Sequence, residues 1–326
     1  MNTQQPKVKT LGVFGTIERY WDFWFAACEG ANGAHRDLVI RPYDREADHV
    51  LLMGNLLEEH GAPRLPYHIK KKAKFQKRVE ARKIEYIVEK LGRDRDSVSI
   101  LVYEPSEMYS DDWFDAANSV CDRVYAPDDR ASCPIVLPAT WSFPESVRLL
   151  REEKPCMDRP IDLACITSGK LDWNGHGPRL DFIRLLRESG IRIALYGRDL
   201  PEDLRAHPDS FGPIESKASI LRSANFALSL ENDATDDRYV TEKIWDPLIC
   251  WSLPLYFGSR AADSMIPAES FIRLPDLSHG GVQVVRDALA QEGLWEERLE
   301  AIGRARQSAL GELRITEWAW NTLPHR

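Results

Sequence analysis

The sequence predicts an α/β protein made of two halves, and three observations lead to this prediction. Short apolar runs typical of buried strands alternate with segments of helical period along most of the chain. The alternation stops between Pro138 and Pro160, where prolines and charged residues are typical of a linker. A length of 326 residues also exceeds the usual size of one hydrophobic core. We therefore predict domains at 1–150 and 151–310, with a C-terminal tail at 311–326 that can pack back on the body.

The first half begins with an alternating strand and a Trp-rich segment around Trp21 and Trp24, which we predict to be helical. A period of 3.6 residues predicts a long helix at 70–91 and a shorter one at 113–120. Apolar runs, strongly β-branched in one case, predict strands at 8–15, 38–41, 49–53, 98–103, 123–126 and 134–137.

The second half repeats the pattern after the linker. Apolar runs predict strands at 161–166, 191–196 and 226–230, then from Leu253 to a stop at Gly258, with Ile272 in a short last strand. Helical period predicts helices at 178–189, 217–223, 238–249, 281–291 and 294–310. Strand and helix alternate, which is typical of parallel sheets.

Composition excludes some classes of function. A net charge of −8 gives the chain no general attraction for nucleic acid. The first ten residues lack the apolar run of a signal peptide, and no stretch approaches the ~20 apolar residues of a membrane span. The six cysteines are scattered without CxxC spacing, which favours free thiols. We therefore expect a cytoplasmic protein.

A basic run at 70–83 allows two interpretations. The default is the solvated face of an amphipathic helix. The alternative is an anion-binding surface, for an anionic acceptor or for weak peripheral contact with an anionic membrane, at roughly 1 kcal/mol per cation.

The most informative segment runs from Phe226 to Ser259. An apolar strand ends at Leu230, and Glu231 and Asn232 follow its carboxyl end. Polar turn residues then lead into the helix predicted from Arg238. In parallel α/β sheets ligands bind beyond the strand ends, and helix N-termini favour anions. This segment therefore predicts an anion-binding crevice.

Three blocks of this segment resemble the signature of the α1,3-fucosyltransferases, glycosyltransferase family 10. They are Glu231-Asn232, the pentapeptide Tyr239-Val-Thr-Glu-Lys243, and the Pro-containing strand Leu253–Ser259. The chain departs from the family pattern at Leu230, which replaces a Phe, and at Asp233, which replaces a Ser. The spacer before Tyr239 is also one residue longer.

The resemblance implies a GT-B architecture, in which two Rossmann-like domains face each other across a cleft. It implies a protein of the soluble bacterial type that moves L-fucose from GDP-β-L-fucose to a hydroxyl of a glycan acceptor. An α1,3-type linkage with inversion and no metal is expected. The carboxyl half would bind the donor and the amino half the acceptor. Donor-binding residues would be Arg198, Glu231, Asn232, Tyr239, Thr241, Glu242 and Lys243.

Charge determines the roles expected at the donor. Lys243 and Arg198 would neutralise the departing diphosphate, since a charge pair at 4 Å is worth roughly 4 kcal/mol at an effective dielectric of 20. Gly197 would let the backbone approach a phosphate. Glu242 would accept hydrogen bonds from two fucose hydroxyls.

The general base is expected in the amino half. Glu104 follows the strand at 98–103 and matches the family's proposed base, although Pro105 and Ser106 stand in reverse order. An unshifted Glu titrates near ~4.3, so partial desolvation would improve it as a base. Glu107 is a nearby competitor. Asp94-Arg95-Asp96 precedes its strand, which indicates a turn instead of a metal site.

Three alternatives remain open at this stage. The same fold could use another nucleotide sugar, and the longer spacer before Tyr239 favours this possibility. A nicotinamide-dependent oxidoreductase would require G-x-G-x-x-G after the first strand, and Gly12-Val-Phe-Gly15 lacks that spacing. A non-catalytic nucleotide-binding protein is the third. The pair Glu104 and Lys243 argues against it.

Overall fold

The computed structural model describes residues 9–14, 24–53, 84–170, 176–235 and 237–323, and it divides into two compact units. The first unit combines Met1–Leu137 with Ile315–Arg326, and the second is Pro138–Arg314. The division therefore falls earlier than the boundary expected at residue 150. Most of the expected tail groups with the first unit.

The first unit is built on a seven-stranded sheet of order β2-β3-β1-β4-β5-β6-β7. All its strand pairs are parallel except β2 with β3. The central strands β4 and β5 are buried along their whole length, as parallel strands covered on both faces should be. The strands are β1 (Lys9–Phe14), β2 (Ala34–His35), β3 (Leu38–Pro42), β4 (His49–Met53), β5 (Val98–Leu101), β6 (Arg123–Ala126) and β7 (Cys133–Pro134).

Helix α1 (Asp111–Val120) covers this sheet because Trp113, Phe114 and Ala117 form its buried stripe. Ser110 caps the helix, since its side chain accepts a hydrogen bond from the backbone N–H of Trp113. Residues 24–27 and 84–91 are also helical. The second of these segments is the end of the helix predicted at 70–91, and the basic run at 70–83 lies outside the described residues.

The second unit contains a six-stranded parallel sheet of order β10-β9-β8-β11-β12-β13. Strands β8 and β11 are neighbours in the sheet but not in the chain, so the strand order reverses between them. Such a reversal opens a crevice at the carboxyl ends of the two strands. The strands are β8 (Ile161–Ser168), β9 (Ala194–Arg198), β10 (Ser210–Gly212), β11 (Ala224–Leu230), β12 (Leu253–Phe257) and β13 (Ile272–Arg273).

The five predicted helices of the second unit are present, and three short helices were not predicted, one of them inside the expected linker. That helix, α2, has Val147 and Leu150 buried and is capped by Ser146. The helices are α2 (Val147–Glu152), α3 (His176–Glu188), α4 (Glu202–Arg205), α5 (Lys217–Arg222), α6 (Glu242–Ile249), α7 (Ala262–Met265), α8 (His279–Ala290) and α9 (Leu294–Ala309).

The C-terminal helix α10 (Ile315–Thr322) packs within the first unit. Glu317 lies 3.0 Å from the guanidinium of Arg36, which stacks 4.2 Å above the ring of Trp320. The indole N–H of Trp320 donates to Asp37 Oδ1 at 2.6 Å. The chain end is therefore fastened to the loop between β2 and β3 by charge and by ring contact.

All six cysteines are free thiols, and Cys165 and Cys250 are buried in the second unit. Burial raises the pKa of the Cys165 thiol to about 12, so it stays protonated at neutral pH. In the part of the chain that the structure describes, no helix has both the length and the apolar character to cross a bilayer.

We expect Trp320→Ala to lower the free energy of unfolding by about 2 kcal/mol, because it removes the bond to Asp37 and the cation–π contact with Arg36. Chemical denaturation followed by circular dichroism measures this change. Asn321→Ala, at an exposed position of the same helix, is the matched control and should change stability by less than about 0.5 kcal/mol. Equal effects of the two variants would show that α10 is not fastened through Trp320.

Candidate functional site

A pocket lies along the carboxyl-terminal halves of β8 and β11, where the strand order reverses. Its charged lining residues are Arg179 from α3, Lys217 from α5 and Lys243 from α6. Among the described residues no carboxylate lines the pocket. Three cations therefore line a crevice in the position where α/β sheets bind ligands.

Glu231 lies behind this wall, at the end of β11, with its side chain completely buried. The backbone N–H of Thr241 donates to Oε1 at 2.8 Å, and the hydroxyl of Thr241 donates to Oε2 at 2.7 Å. The hydroxyl of Tyr256 in β12 donates to Oε1 at 3.4 Å. One carboxylate thus connects the ends of two strands to the start of α6, an arrangement that we call the Glu231 clamp.

Gly258 lies beside the Glu231 clamp, where there is no room for a side chain. A Cβ at this position would lie 2.5 Å from Cγ of Glu231 and would collide with the Tyr256 hydroxyl. The glycine that ends the Pro-containing strand is therefore required by packing.

Helix α6 begins at Glu242, so the helix start predicted at Arg238 is wrong. Thr241 is the N-cap, with an extended backbone, and its side chain accepts from the N–H of Lys243 at 3.4 Å. Because the N–H of Thr241 is already bonded to Glu231, the helix cannot extend backwards through this residue. Tyr239 consequently lies before the helix and is 2% exposed.

The cap places Lys243 among oxygen atoms. Its Nζ lies 3.3 Å from Glu242 Oε1, 3.4 Å from Thr241 Oγ1 and 3.6 Å from Glu231 Oε2. Burial alone would raise the pKa of Glu242, but the ammonium groups of Lys243 and Lys217 outweigh it and lower this pKa to about 2. Glu242 is therefore ionised at neutral pH and can only accept hydrogen bonds. Burial raises the pKa of Glu231, and Lys243 opposes this shift only in part.

Arg179 was not identified as a site residue from the sequence, although it lines the pocket and is only 5% exposed. Its Nε is buried without a hydrogen-bond partner among the described residues. Burial also lowers the pKa of its guanidinium. The sequence contained one signal for it, because Arg179 falls on the buried stripe of α3 with Leu180 and Ile183. A charged residue in an apolar stripe calls for a partner, and here a pocket lies beside it.

Arg198 is the last residue of β9 and is exposed, and it is not among the residues that line the pocket.

The presence of glycine at position 197 is explained by packing between strands. A Cβ there would collide with the backbone carbonyl of Thr167 in β8, so the glycine lets two strands approach each other. Asn232 follows Glu231 and is half-buried, and its buried Oδ1 has no partner among the described residues. The donor-contact roles of these residues stay predictions.

Glu104 belongs to the first unit and lies just beyond β5, half-buried, before the buried Pro105. Glu107 lies in the short 3₁₀ turn that follows and is exposed. Asp94 and Asp96 belong to a turn just before β5, as predicted. The assignment of the base to Glu104 stays a prediction.

Two solved structures are similar to this chain over nearly its whole length. A crystal structure of α1,3-fucosyltransferase with GDP is 13% identical, covers 92% of this chain and 83% of its own, and superposes with a TM-score of 0.51. An α-glucosyltransferase in complex with UDP and DNA is 8% identical, covers 96% and 97%, and has a TM-score of 0.54. At these identities the likeness shows the fold. The predicted α/β fold class, which is that of the GT-B glycosyltransferases, is confirmed.

Part of the second unit matches a family profile. Residues 164–282 match the profile of glycosyltransferase family 10 (fucosyltransferase), C-terminal domain. The segment holds most of β8, all of β11 and β12, and the three cations of the pocket. The match confirms, over these residues, the resemblance to this family that the motifs indicated.

Two curated relatives share part of the chain. GDP-fucose protein O-fucosyltransferase 3 of Gallus gallus is 31% identical over 155 residues, which is 44% of this chain and 32% of that protein. Alpha-(1,3)-fucosyltransferase B of Drosophila melanogaster is 42% identical over 88 residues, 25% of this chain and 19% of that protein. The chain therefore spans about a third or less of the length of these relatives.

We expect Thr241→Val to lower the free energy of unfolding by about 2 kcal/mol, because it removes the helix cap and leaves one oxygen of Glu231 buried without a donor. Urea denaturation measures this loss. Thr235→Val removes a hydroxyl of the exposed turn before the helix and should cost less than about 0.5 kcal/mol. If the two variants were equally stable, the Glu231 clamp would not depend on Thr241.

Proposed function

We propose that this protein is an inverting fucosyltransferase that moves L-fucose from GDP-β-L-fucose to a hydroxyl group of an acceptor, without a metal ion. The observation that supports it most strongly is the pocket between β8 and β11, lined by Arg179, Lys217 and Lys243. Its counter-charges Glu231 and Asp246 have fully buried side chains. The pocket thus offers positive charge to a diphosphate while its own carboxylates remain behind the wall.

The reaction requires that the acceptor oxygen attack the anomeric carbon while the bond to the diphosphate breaks on the opposite face. Negative charge then accumulates on the departing GDP. Lys243 and Arg179 would stabilise it, because fixed cations in a water-poor pocket act strongly where charge develops. We retain Arg198 as a further candidate for this role. The same cations would perform the work that a metal ion performs in other transferases.

The remaining donor residues are proposed from the resemblance of the motifs and from their position beside the clamp. Glu242 is ionised beside Lys243 and can accept hydrogen bonds from neighbouring hydroxyls of the fucose ring. Asn232 and Tyr239 flank the clamp and would border the nucleoside. The carboxylate of Glu231 is buried and accepts hydrogen bonds from Thr241 and Tyr256, which supports a positioning role over the donor contact expected from the resemblance. We propose that Glu231 positions α6 and does not touch the donor.

Two classes of acceptor merit testing. The resemblance of the motifs to α1,3-fucosyltransferases favours a hydroxyl of a glycan, with an α1,3-type linkage. The relative named GDP-fucose protein O-fucosyltransferase 3 favours a hydroxyl of a protein side chain instead. We propose the glycan as the first choice, with the reaction in the cytoplasm, where six free cysteines would stay reduced. A panel of oligosaccharides and folded protein domains, with labelled GDP-fucose, separates the two classes.

Lys243→Ala should weaken the binding of GDP at least tenfold, about 1.4 kcal/mol, in calorimetric titration with a chelator present. The control Lys154→Ala removes an exposed lysine of the same unit and should leave the affinity unchanged. Binding of UDP in place of GDP would preserve the pocket but exclude the fucose donor. A folded protein that bound neither nucleotide would exclude the proposed function.

Glu104→Gln should lower kcat by about 10²- to 10⁴-fold while the affinity for GDP stays the same, because a general base acts on the acceptor and not on the nucleotide. Glu107→Gln, three residues further along, is the matched control and should retain activity. The opposite pattern would assign the base to Glu107. The anomeric configuration of the product, read by NMR, tests inversion in the same experiment.

A further inference from the structure

One charged pair at the pocket wall lies outside the recognised fucosyltransferase blocks of the sequence. Lys217 is the first residue of α5, and its side chain is 22% exposed where it lines the pocket. Its Nζ lies 2.5 Å from Oδ2 of Asp246, whose side chain is fully buried in α6. The other oxygen, Oδ1, accepts the backbone N–H of Ser142 at 2.8 Å. One carboxylate oxygen thus accepts a hydrogen bond, the other is in ion contact with the ammonium group, and Lys217 borders the pocket.

Stability alone does not explain this pair. Removing two charges from water costs more than a close ion pair usually returns, and apolar side chains of similar size would serve a core equally well. Burial lowers the pKa of Lys217, but Asp246 and Glu242 outweigh it and raise this pKa above its ordinary value. Lys217 is therefore kept charged at a pocket wall. A fixed charge in that place is useful only if an anion arrives there.

We propose that Lys217 is a further cation for the diphosphate of the nucleotide donor, and that Asp246 is a positioning residue that acts through Lys217. The inference rests on the proposed function and adds two residues to it. Arg179, Lys217 and Lys243 come from three different helices, α3, α5 and α6. A diphosphate in the pocket would meet positive charge from each of them, which suits its several oxygens better than a single cation does.

The test begins with a variant that keeps the fold. Lys217→Met alone leaves Asp246 buried without its cation, and this can unfold the protein. The double variant Lys217→Met with Asp246→Asn removes both charges together and retains an oxygen for the N–H of Ser142. Lys154→Met, an exposed lysine of the same unit, is the control for the loss of one positive charge.

In calorimetric titration the double variant should bind GDP about tenfold more weakly than the wild type, and the Lys154 control should bind it equally well. Guanosine, which has no phosphate, should bind the wild type and the double variant with the same dissociation constant. Asp246→Asn alone should weaken GDP binding several-fold. The dissociation constant of guanosine should be unchanged in Asp246→Asn, because a residue that acts through Lys217 affects only the contact with the phosphates.

Three results would overturn the inference. If the wild type bound GDP and the double variant bound it equally well, Lys217 would not contact the diphosphate, and the proposed function would survive. If Asp246→Asn weakened the binding of guanosine as much as that of GDP, Asp246 would act on the fold and not through the cation. If the wild type bound no GDP, the proposed function would be wrong and this inference with it.

Discussion

The second unit depends on one buried carboxylate. Glu231 receives both donors of Thr241 and the hydroxyl of Tyr256, and the ammonium of Lys243 lies 3.6 Å away. A carboxyl group removed from water is tolerated only when it is compensated in this way. The compensation has a geometric consequence. It fixes where α6 begins, and the position of Lys243 at the pocket follows from that start.

The charges of the pocket are arranged in two layers. Lys217 and Lys243 form part of the wall, and two of their carboxylate partners, Asp246 and Glu231, have no exposed side-chain surface, whereas Glu242 beside Lys243 is partly exposed. The partners reduce the cost of burying the cations while the pocket is empty. They also cannot move toward a ligand, because each is held by backbone N–H groups. An arriving anion therefore meets cations whose orientation is already set, which is the condition for strong electrostatic stabilisation.

Sequence reasoning succeeded where a local pattern determines the structure and failed where distant residues do. The apolar strands and the blocks around Glu231, Lys243 and Gly258 were visible because strands and motifs are local. The start of α6 was misplaced since it depends on a bond between Thr241 and Glu231, ten residues apart. Arg179 and Lys217 were not assigned to the pocket, because they resemble ordinary surface residues of amphipathic helices until the fold brings them to β8 and β11.

The same comparison separates two kinds of residue within the motif blocks. Glu231 and Gly258 are explained without any ligand, because one holds the helix cap and the other leaves room for that bond. Gly197 is likewise explained by the carbonyl of Thr167. Lys243 is different, since its ammonium lies at the pocket and is not needed to complete the cap, which Thr241 forms with its own oxygen. The residues that hold α6 in place and the lysine that lines the pocket are thus close together in one short segment. A match to the motif therefore reports a correctly built support for α6, and any ligand chemistry depends on the cations that this support positions.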